Sequence, residues 1–396
     1  MAWKETSVFE QRKLFIQDYL SQIFSISDLC RIYEICRPTA YLWIQRFKEE
    51  GEDGLRDRKS TPQNQPLATP SHVIDEILAV KFKFMKWGPK KIVAHLNHHK
   101  PQLILPSTTT VGNILDRNGL VMQRALRKRF TERTQPLAHA KEINDVWSAD
   151  FKGGSVTNDK QKCEPFTLTD NASRYLLKCL TLDANNTDHV WAVLDSAFRE
   201  YGLPLYLRSD NGPPFASQGL GRLSSLTVKL IRAGVVPDFI DPGKPEQNGR
   251  HERMHGTLKS EAIFPEVSLE EQKIKLKDFQ YYYNFVRPHE GINQATPGSV
   301  YATSNRVWTG KLKSPEYPDD YRKVRVRISG QILINDKDIY IGKTLKDEYV
   351  GLKETETGFK MYYGPVYLAE ITEDGAMVVS RRKGRDRSKK FKSDFY

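Results

Sequence analysis

Between residues 144 and about 262 the chain changes its hydrophobic period in a set order, and that order limits the folds open to it. NDVWSADFKG, EPFTLTDNASRYLLKCLTL and PLYLRSDNG carry strand-like apolar runs, whereas HVWAVLDSAFREYG and GLGRLSSLTVKLIRAG have helical spacing. The succession strand, strand, strand, helix, strand, helix, strand, helix predicts an α/β layer with an antiparallel start.

Two aspartates close strand-like segments of this region. Asp150 is followed by Phe-Lys-Gly and Asp210 by Asn-Gly-Pro-Pro. Carboxylates at the ends of neighbouring strands can face one point in space. Hard cations such as Mg²⁺ take oxygen ligands, and a pair of them can clamp the attacking and leaving oxygens of an in-line phosphoryl displacement. The element order is compatible with a ribonuclease H-like fold. Two aspartates hold such ions poorly by themselves, and a third carboxylate on an adjacent helix would complete the site. GKPEQNGRHERMH, residues 243–255, offers two. Glu246 precedes Asn248, the expected cap of a helix continuing to about Phe264. Glu252 lies on that helix, away from the apolar stripe Met254, Leu258, Ala262 and on a polar strip with His255 and Lys259. A helix holds a ligand more rigidly than a loop, so Glu252 is the better candidate. The chain has 49 acidic residues, so the triple alone means little and its contexts carry the weight.

The flanks favour a polyanionic partner. A net charge of +12 over 396 residues points to nucleic acid or an anionic surface. No apolar run approaches eighteen residues and MAWKETSVFEQRK has no signal-peptide core, so no membrane role is expected. Four cysteines without a C-x-x-C pair fit a reducing, cytoplasmic setting.

Residues 1–55 read as an all-α helix-turn-helix unit, with one helix near Asp28 to Tyr33 capped by Ser27 and another from Thr39 to Glu50. An ordinary helical hairpin with Leu29, Ile32, Ile35, Leu42, Ile44 and Phe47 as core is the plainer reading, and the chain's charge favours DNA. Arg37, Thr39, Tyr41, Gln45 and Arg46 are then the candidate contacts. Glu34 stands where such a turn often carries glycine. After a polar, proline-bearing linker at 56–70, residues 70–120 resemble a second helix-turn-helix, with Ser107 or a following threonine as cap and Gly119 as stop. His95, His98 and His99 lie on one helix there without a cysteine pair nearby, which predicts a solvated face rather than zinc. A basic linker, 121–143, includes Arg127, Lys128 and Arg129 as phosphate contacts. Strand-like runs spaced through 318–380 predict a small β-barrel, and 381–396 a basic tail that follows DNA.

WSADFKG around Asp150, RSDNGPPFASQGLGRLSSL around Asp210 and IDPGKPEQNGRHERMHGTLK around Glu252 resemble the bacterial DDE transposases of the IS481 type, relatives of retroviral integrases. The likeness continues through YYNFVRPHEGINQATPGSVY into the C-terminal region. It implies helix-turn-helix units, a catalytic core at 144–300, and Asp150, Asp210 and Glu252 as the catalytic acids holding two Mg²⁺ or Mn²⁺ ions. It further implies cleavage of insertion-sequence ends, joining of the 3′-hydroxyls to target DNA, and a dimer or tetramer at paired ends in a bacterial, nucleoid-associated setting. Asn211 and Gly212 would shape the turn beside the metal. Asn248, His255 and Lys259 would meet DNA phosphates or orient the acids, with Asn248 equally readable as a helix cap. The interval from Asp210 to Glu252 exceeds the usual integrase interval, and GPPFASQGLGRLSS, typical of the IS481 group, accounts for the insertion. Glu246 stands where the family commonly has Gln. Asp170 is expected as a turn cap and His289 as a structural turn residue, while Arg222 could face DNA or start a helix. A decayed transposase acting as a non-catalytic regulator and a ribonuclease H-like nuclease without joining activity are the competing readings.

Overall fold

A computed structural model describes residues 7–58, 68–121, 139–241, 245–264, 266–373 and 375–378. The chain divides into two compact units, Met1–Thr69 and Pro70–Tyr396.

The first unit contains α1 (Val8–Leu20), α2 (Ile26–Ile32) and α3 (Arg37–Glu50). Ser25, rather than the expected Ser27, caps α2 by accepting the Asp28 N–H, and α3 begins two residues early with Pro38 in its first turn. Phe15, Ile16, Leu29, Ala40, Ile44 and Leu55 make the core. Ile32 and Leu42, expected in that core, are 54% and 50% exposed. Three short helices bury one stripe each; Leu42 lies about 200° around α3 from Ile44, and Ile32 is the last residue of a two-turn helix. The tight turn between α2 and α3 puts Glu34 at φ +54°.

The second unit opens with α4 (Ser71–Lys83), α5 (Pro89–His99) and α6 (Thr108–Arg117). Ser107 caps α6 through the Thr110 N–H, and Gly119 ends it at φ +67°, as expected. His98 and His99 are exposed, but His95 packs edge-on against Phe84 and Trp87.

The core that follows comprises β1 (Val146–Phe151), β2 (Ser155–Val156), β3 (Lys162–Cys163), β4 (Pro165–Asp170), β5 (Leu176–Thr181), α7 (Thr187–Tyr201), β6 (Tyr206–Ser209), α8 (Ser225–Arg232), β7 (Val236–Phe239), α9 (Gly249–Glu261), α10 (Leu269–Phe285) and α11 (Pro297–Val300). Its sheet has the order β5-β4-β1-β6-β7, antiparallel across β5, β4 and β1 and parallel across β1, β6 and β7. This is the ribonuclease H-like arrangement anticipated from the element order; the small β2–β3 hairpin is an addition. Strand alternation gives the sheet two unlike faces. Trp147, Ala149, Phe166, Leu168 and Leu207 join Leu194, Phe198, Leu226 and Leu230 in the apolar core. The intervening Ser148, Asp150, Thr167, Thr169 and Arg208 form a polar row on the opposite face. Tyr282 and Val286 extend the cluster of the α4–α6 helices onto α10, where Trp87 Nε1 donates to the Tyr282 hydroxyl at 2.7 Å.

The C-terminal strands are β8 (Tyr321–Arg325), β9 (Gln331–Ile334), β10 (Lys337–Tyr340), β11 (Tyr349–Thr355), β12 (Gly358–Tyr363), β13 (Val366–Thr372) and β14 (Met377–Val378). Every expected strand-like run forms, but the expected small β-barrel does not: among the described residues the sheet is open, in the order β14-β13-β12-β11-β8, with β9–β10 a separate hairpin. Closure needs ladder hydrogen bonds from edge to edge. The hairpin instead adds Ile332, Ile334 and Ile339 to the core by side-chain packing. Arg127, Lys128, Arg129 and the 381–396 tail lie outside the described residues.

Candidate active site

Asp150 is the fifth residue of β1 and pairs in register with Thr167 of β4. Its side chain is 24% exposed. Asp210 follows the last residue of β6, the strand parallel to β1, and its Oδ1 accepts the Gly212 N–H at 3.1 Å. A Cβ at position 212 would stand 3.1 Å from Asp210 Oδ2, so the small residue leaves that carboxylate its rotamer. Asn211 secures the turn: its Nδ2 donates to the Ile240 carbonyl at 2.9 Å and its Oδ1 accepts from Arg222 Nη1 at 2.7 Å. Arg222 is thereby a turn residue beside Asp210, at φ +58° in a 3-10 turn. Glu252 is exposed in the first turn of α9.

The three acids share one electrostatic environment. Burial, reinforced by the negative charges of Asp210 and then Glu252, pushes the Asp150 carboxyl up to about 7. Oxygen donors that repel one another in this way are relieved by a hard divalent cation, and an all-carboxylate set fits Mg²⁺ or Mn²⁺.

A buried ion pair ties α9 to the strands. Arg208, fully buried, donates from Nε and Nη2 to Asp238 Oδ2 at 2.8 and 2.6 Å and from Nη1 to the Gln247 carbonyl at 2.9 Å. Burial would raise the Asp238 carboxyl, but the His139 hydrogen bond and the Arg208 charge outweigh it and hold it below its ordinary value. Gln247 in turn exchanges two bonds with Asp241, of 2.7 and 2.8 Å. The chain therefore enters α9 from a fixed point, which no motif in the sequence had announced.

His255 was expected on a polar strip with Glu252 and Lys259; it is buried instead, while those two are exposed. The buried face of α9 takes in His251, Met254, His255 and Leu258, because the polar row of the sheet supplies partners for imidazole. Thr167 Oγ1 lies 2.8 Å from His251 Nε2 and 2.7 Å from His255 Nε2, and Thr169 Oγ1 lies 2.8 Å from His251 Nδ1. His255 Nδ1 faces Asp150 Oδ2 at 3.7 Å. Burial lowers both imidazoles, His255 to about 4 and His251 well below its ordinary value. Ligand atoms of Asp150, His251 and His255 lie within 4.8 Å of one another. Three of the four ring nitrogens are already taken by threonine hydroxyls, however, which leaves the carboxylates as the better cation ligands.

The remaining candidates are spread over the chain. Arg37, Tyr41 and Gln45 are exposed at four-residue spacing along α3. Arg37 donates to Ser27 Oγ at 2.6 Å and Gln45 to Glu49 at 2.9 Å. Thr39 and Arg46 are half-buried, the first 3.0 Å from Cys36 Sγ and the second over the Trp43 ring. Asn248 precedes α9 without a side-chain cap bond; it is buried and its Oδ1 has no partner. Lys259 is exposed on α9. Asp170 caps its turn as expected, accepting from the Asn144 and Ser173 N–H groups, and His289 is a half-buried turn residue against the Tyr283 carbonyl. Sequence reasoning missed a basic cluster: burial and then the charges of Arg250 and Arg253 lower Arg174 to about 10. Those three guanidiniums border the N-terminal half of α9.

Residues 140–245 and 233–297 match families described as Integrase core domain. Residues 11–62 match a Helix-turn-helix domain and 39–115 a Homeodomain-like domain. An uncharacterized 39.2 kDa protein of insertion element IS476 from Xanthomonas euvesicatoria is 27% identical over 205 residues, 51% of this chain and 57% of the relative. An uncharacterized 31.7 kDa protein of insertion element IS407 from Burkholderia multivorans is 29% identical over 197 residues, 48% of this chain and 66% of that one. The chain thus spans less than two thirds of the length of either relative. The HTLV-2 integrase catalytic core domain in complex with magnesium aligns at TM-score 0.32 and 17% identity, covering 40% of this chain and 95% of that one. A simian T-cell lymphotropic virus intasome chain aligns at TM-score 0.36 and 16% identity, covering 75% and 99%.

Proposed function

We propose, from the matches of residues 140–245 and 233–297 to Integrase core domain families and of 11–62 to a Helix-turn-helix domain, that the chain is a DDE transposase that cuts insertion-sequence ends and joins their 3′-hydroxyls to target DNA. The observation that carries the reading is the placement of Asp150 near the end of β1 and Asp210 just beyond the adjacent parallel strand β6, with burial and then the charges of Asp210 and Glu252 lifting the Asp150 carboxyl to about 7.

Asp150, Asp210 and Glu252 would hold two divalent cations of the Mg²⁺ type. When bound, these would supply charge neutralisation and activation of oxygen nucleophiles at a phosphodiester. The chain's own residues do the positioning. Gly212 and Asn211 keep Asp210 in its rotamer; Arg208 and Gln247 set the height at which α9 presents Glu252; His255 stands beside Asp150, its Nδ1 3.7 Å from Oδ2. Arg174, Arg250 and Arg253, with Lys259, offer positive charge where a phosphate backbone would cross α9. In α3, the exposed Arg37, Tyr41 and Gln45 are the residues to enter a major groove, with Thr39 and Arg46 supporting them from half-buried positions. Holding two ends at once calls for two or more copies of the chain.

The test is Mg²⁺-dependent nicking of a duplex carrying the element's end, followed by incubation of pre-cut ends with a target plasmid. Nicked and joined products are expected from the wild type. Asp150→Asn, Asp210→Asn and Glu252→Gln should each lower the rate by at least about 10³-fold with end binding retained. Binding without cutting would identify a regulator, cutting without joining a nuclease, and a dead Glu246→Gln beside an active Glu252→Gln would move the third acid to the loop.

A further inference from the structure

We infer that Thr169, His251, Thr167 and His255 form a one-directional hydrogen-bond wire that ends by turning an N–H of His255 toward the Asp150 carboxylate. These are positioning residues. That they serve catalysis rests on the function proposed above; the wire itself does not.

The direction follows from counting protons. A threonine hydroxyl has one hydrogen to give and two lone pairs, and a neutral imidazole has one N–H and one bare nitrogen. Around Thr167 Oγ1 stand His255 Nε2 at 2.7 Å, His251 Nε2 at 2.8 Å and the Asp150 carbonyl at 3.2 Å. The single Thr167 proton can go to one of the three. Given to the carbonyl or to His251, it obliges His255 to donate from Nε2, and the bare Nδ1 of His255 then faces Asp150 Oδ2 at 3.7 Å, lone pair against carboxylate in a buried site. Given to His255, it leaves a hydrogen on Nδ1, aimed at that oxygen. His251 then supplies Thr167 from Nε2, and its bare Nδ1 takes the Thr169 hydroxyl proton at 2.8 Å. With Asp150 ionised, as a cation ligand must be, only this arrangement bonds three ring nitrogens to the threonines and turns a donor rather than a lone pair toward the carboxylate.

The strand pattern built the wire. Thr167 and Thr169 occupy alternate positions of β4, Asp150 lies directly across the ladder from Thr167, and His251 and His255 are one helical turn apart on α9. The wire thereby joins β4 to β1 and α9, the two elements that carry Asp150 and Glu252. It fixes which Asp150 oxygen has the imidazole beside it. Orienting a ligand through a hydrogen bond from its far side is how outer contacts tune metal sites, and their loss typically costs 10- to 100-fold in affinity or activity.

The test is ¹⁵N NMR of the full chain labelled at histidine, with signals assigned through His251→Gln and His255→Gln. Expected are the Nε2–H tautomer for His251 and the Nδ1–H tautomer for His255. Thr167→Val removes the acceptor of the His251 Nε2–H, so His251 should shift toward the Nδ1–H tautomer bonded to Thr169 Oγ1, and nicking turnover should fall roughly 10- to 100-fold with KM for DNA unchanged; Thr167→Ser should restore both. An Nε2–H tautomer for His255 in the wild type overturns the wire, as does a folded Thr167→Val protein in which His251 keeps its wild-type tautomer. If Thr167→Val fails to fold, the wild-type tautomers and Thr167→Ser decide. Correct tautomers in a protein that never cuts DNA leave the wire standing and remove the proposed function.

Discussion

At the scale of single residues the site is a set of groups kept in states they would not adopt in water. Asp150 is the clearest. Its carboxyl titrates at about 7 in the folded protein against 3.8 as an ordinary aspartate, so between those values the folded chain keeps a proton that the unfolded chain has released. Stability of the cation-free protein therefore falls as pH rises through that window, and the loss is complete above about pH 7. Asp150→Asn should raise stability in EDTA by roughly 1–3 kcal/mol at pH 8 and by clearly less at pH 5, read from thermal melts of both proteins. A gap that does not widen with pH would mean that Asp150 carries no such strain. The elements that carry the acids were legible: Asp150 lies near the end of one strand, Asp210 follows another and Glu252 lies on a helix. Thr167, Thr169 and His251 were not legible, because their role exists only where β4 and α9 meet. His255 was misjudged for the same reason. Helical periodicity gives the angle of a residue around α9, but a buried face is apolar only if its partner is, and here the partner is a polar row of threonines.

Among the elements, strands and helices follow the local signals and their ends follow the caps. Ser25 outcompeted Ser27 for α2 because its hydroxyl reaches the Asp28 N–H from one turn earlier. The α2–α3 turn obeys geometry over composition: Glu34 takes φ +54°, a region that favours glycine, and Ile35 N–H reaches the Cys30 carbonyl at 3.0 Å. Glu34 is exposed and loses no packing on replacement. Glu34→Gly should therefore stabilise the first unit by about 0.5–1 kcal/mol, measured by chemical denaturation; a loss of stability would show that the side chain, not the backbone, sets that turn. The C-terminal strands make the complementary point. Turn spacing located every one of them, but whether seven strands close depends on which edges meet, and no local signal encodes that.

Across the whole molecule, the insertion between Asp210 and Glu252 has a packing role as well as a local one. Gly221, at φ +60°, lies against β13, where an added Cβ would come within 2.7 Å of Leu368 Cδ2 and 3.2 Å of Val366 Cγ1. Leu223, Val228 and Ile231 share a core with the C-terminal sheet, and Arg232 pairs with Glu348 at 3.0 Å. Gly221→Ala combines backbone strain with overpacking and should destabilise the second unit by about 1–2 kcal/mol, seen as a lower urea midpoint at unchanged slope. An unaltered midpoint would mean that the insertion yields freely. Among the described residues no helix is long and apolar enough to cross a membrane.

The chain's sequence by itself determined the element order, the two-faced pattern of the central strands, the three acids and the basic balance, because hydrophobic period and turn chemistry act over a few residues at a time. Only the tertiary structure decided that Arg208 would anchor α9, that an imidazole pair would stand beside Asp150 and that, among the described residues, the last sheet would be open. Each of those depends on groups far apart in the chain sharing one proton, one charge or one edge, and burial brings them together with an energy that no short window of sequence contains.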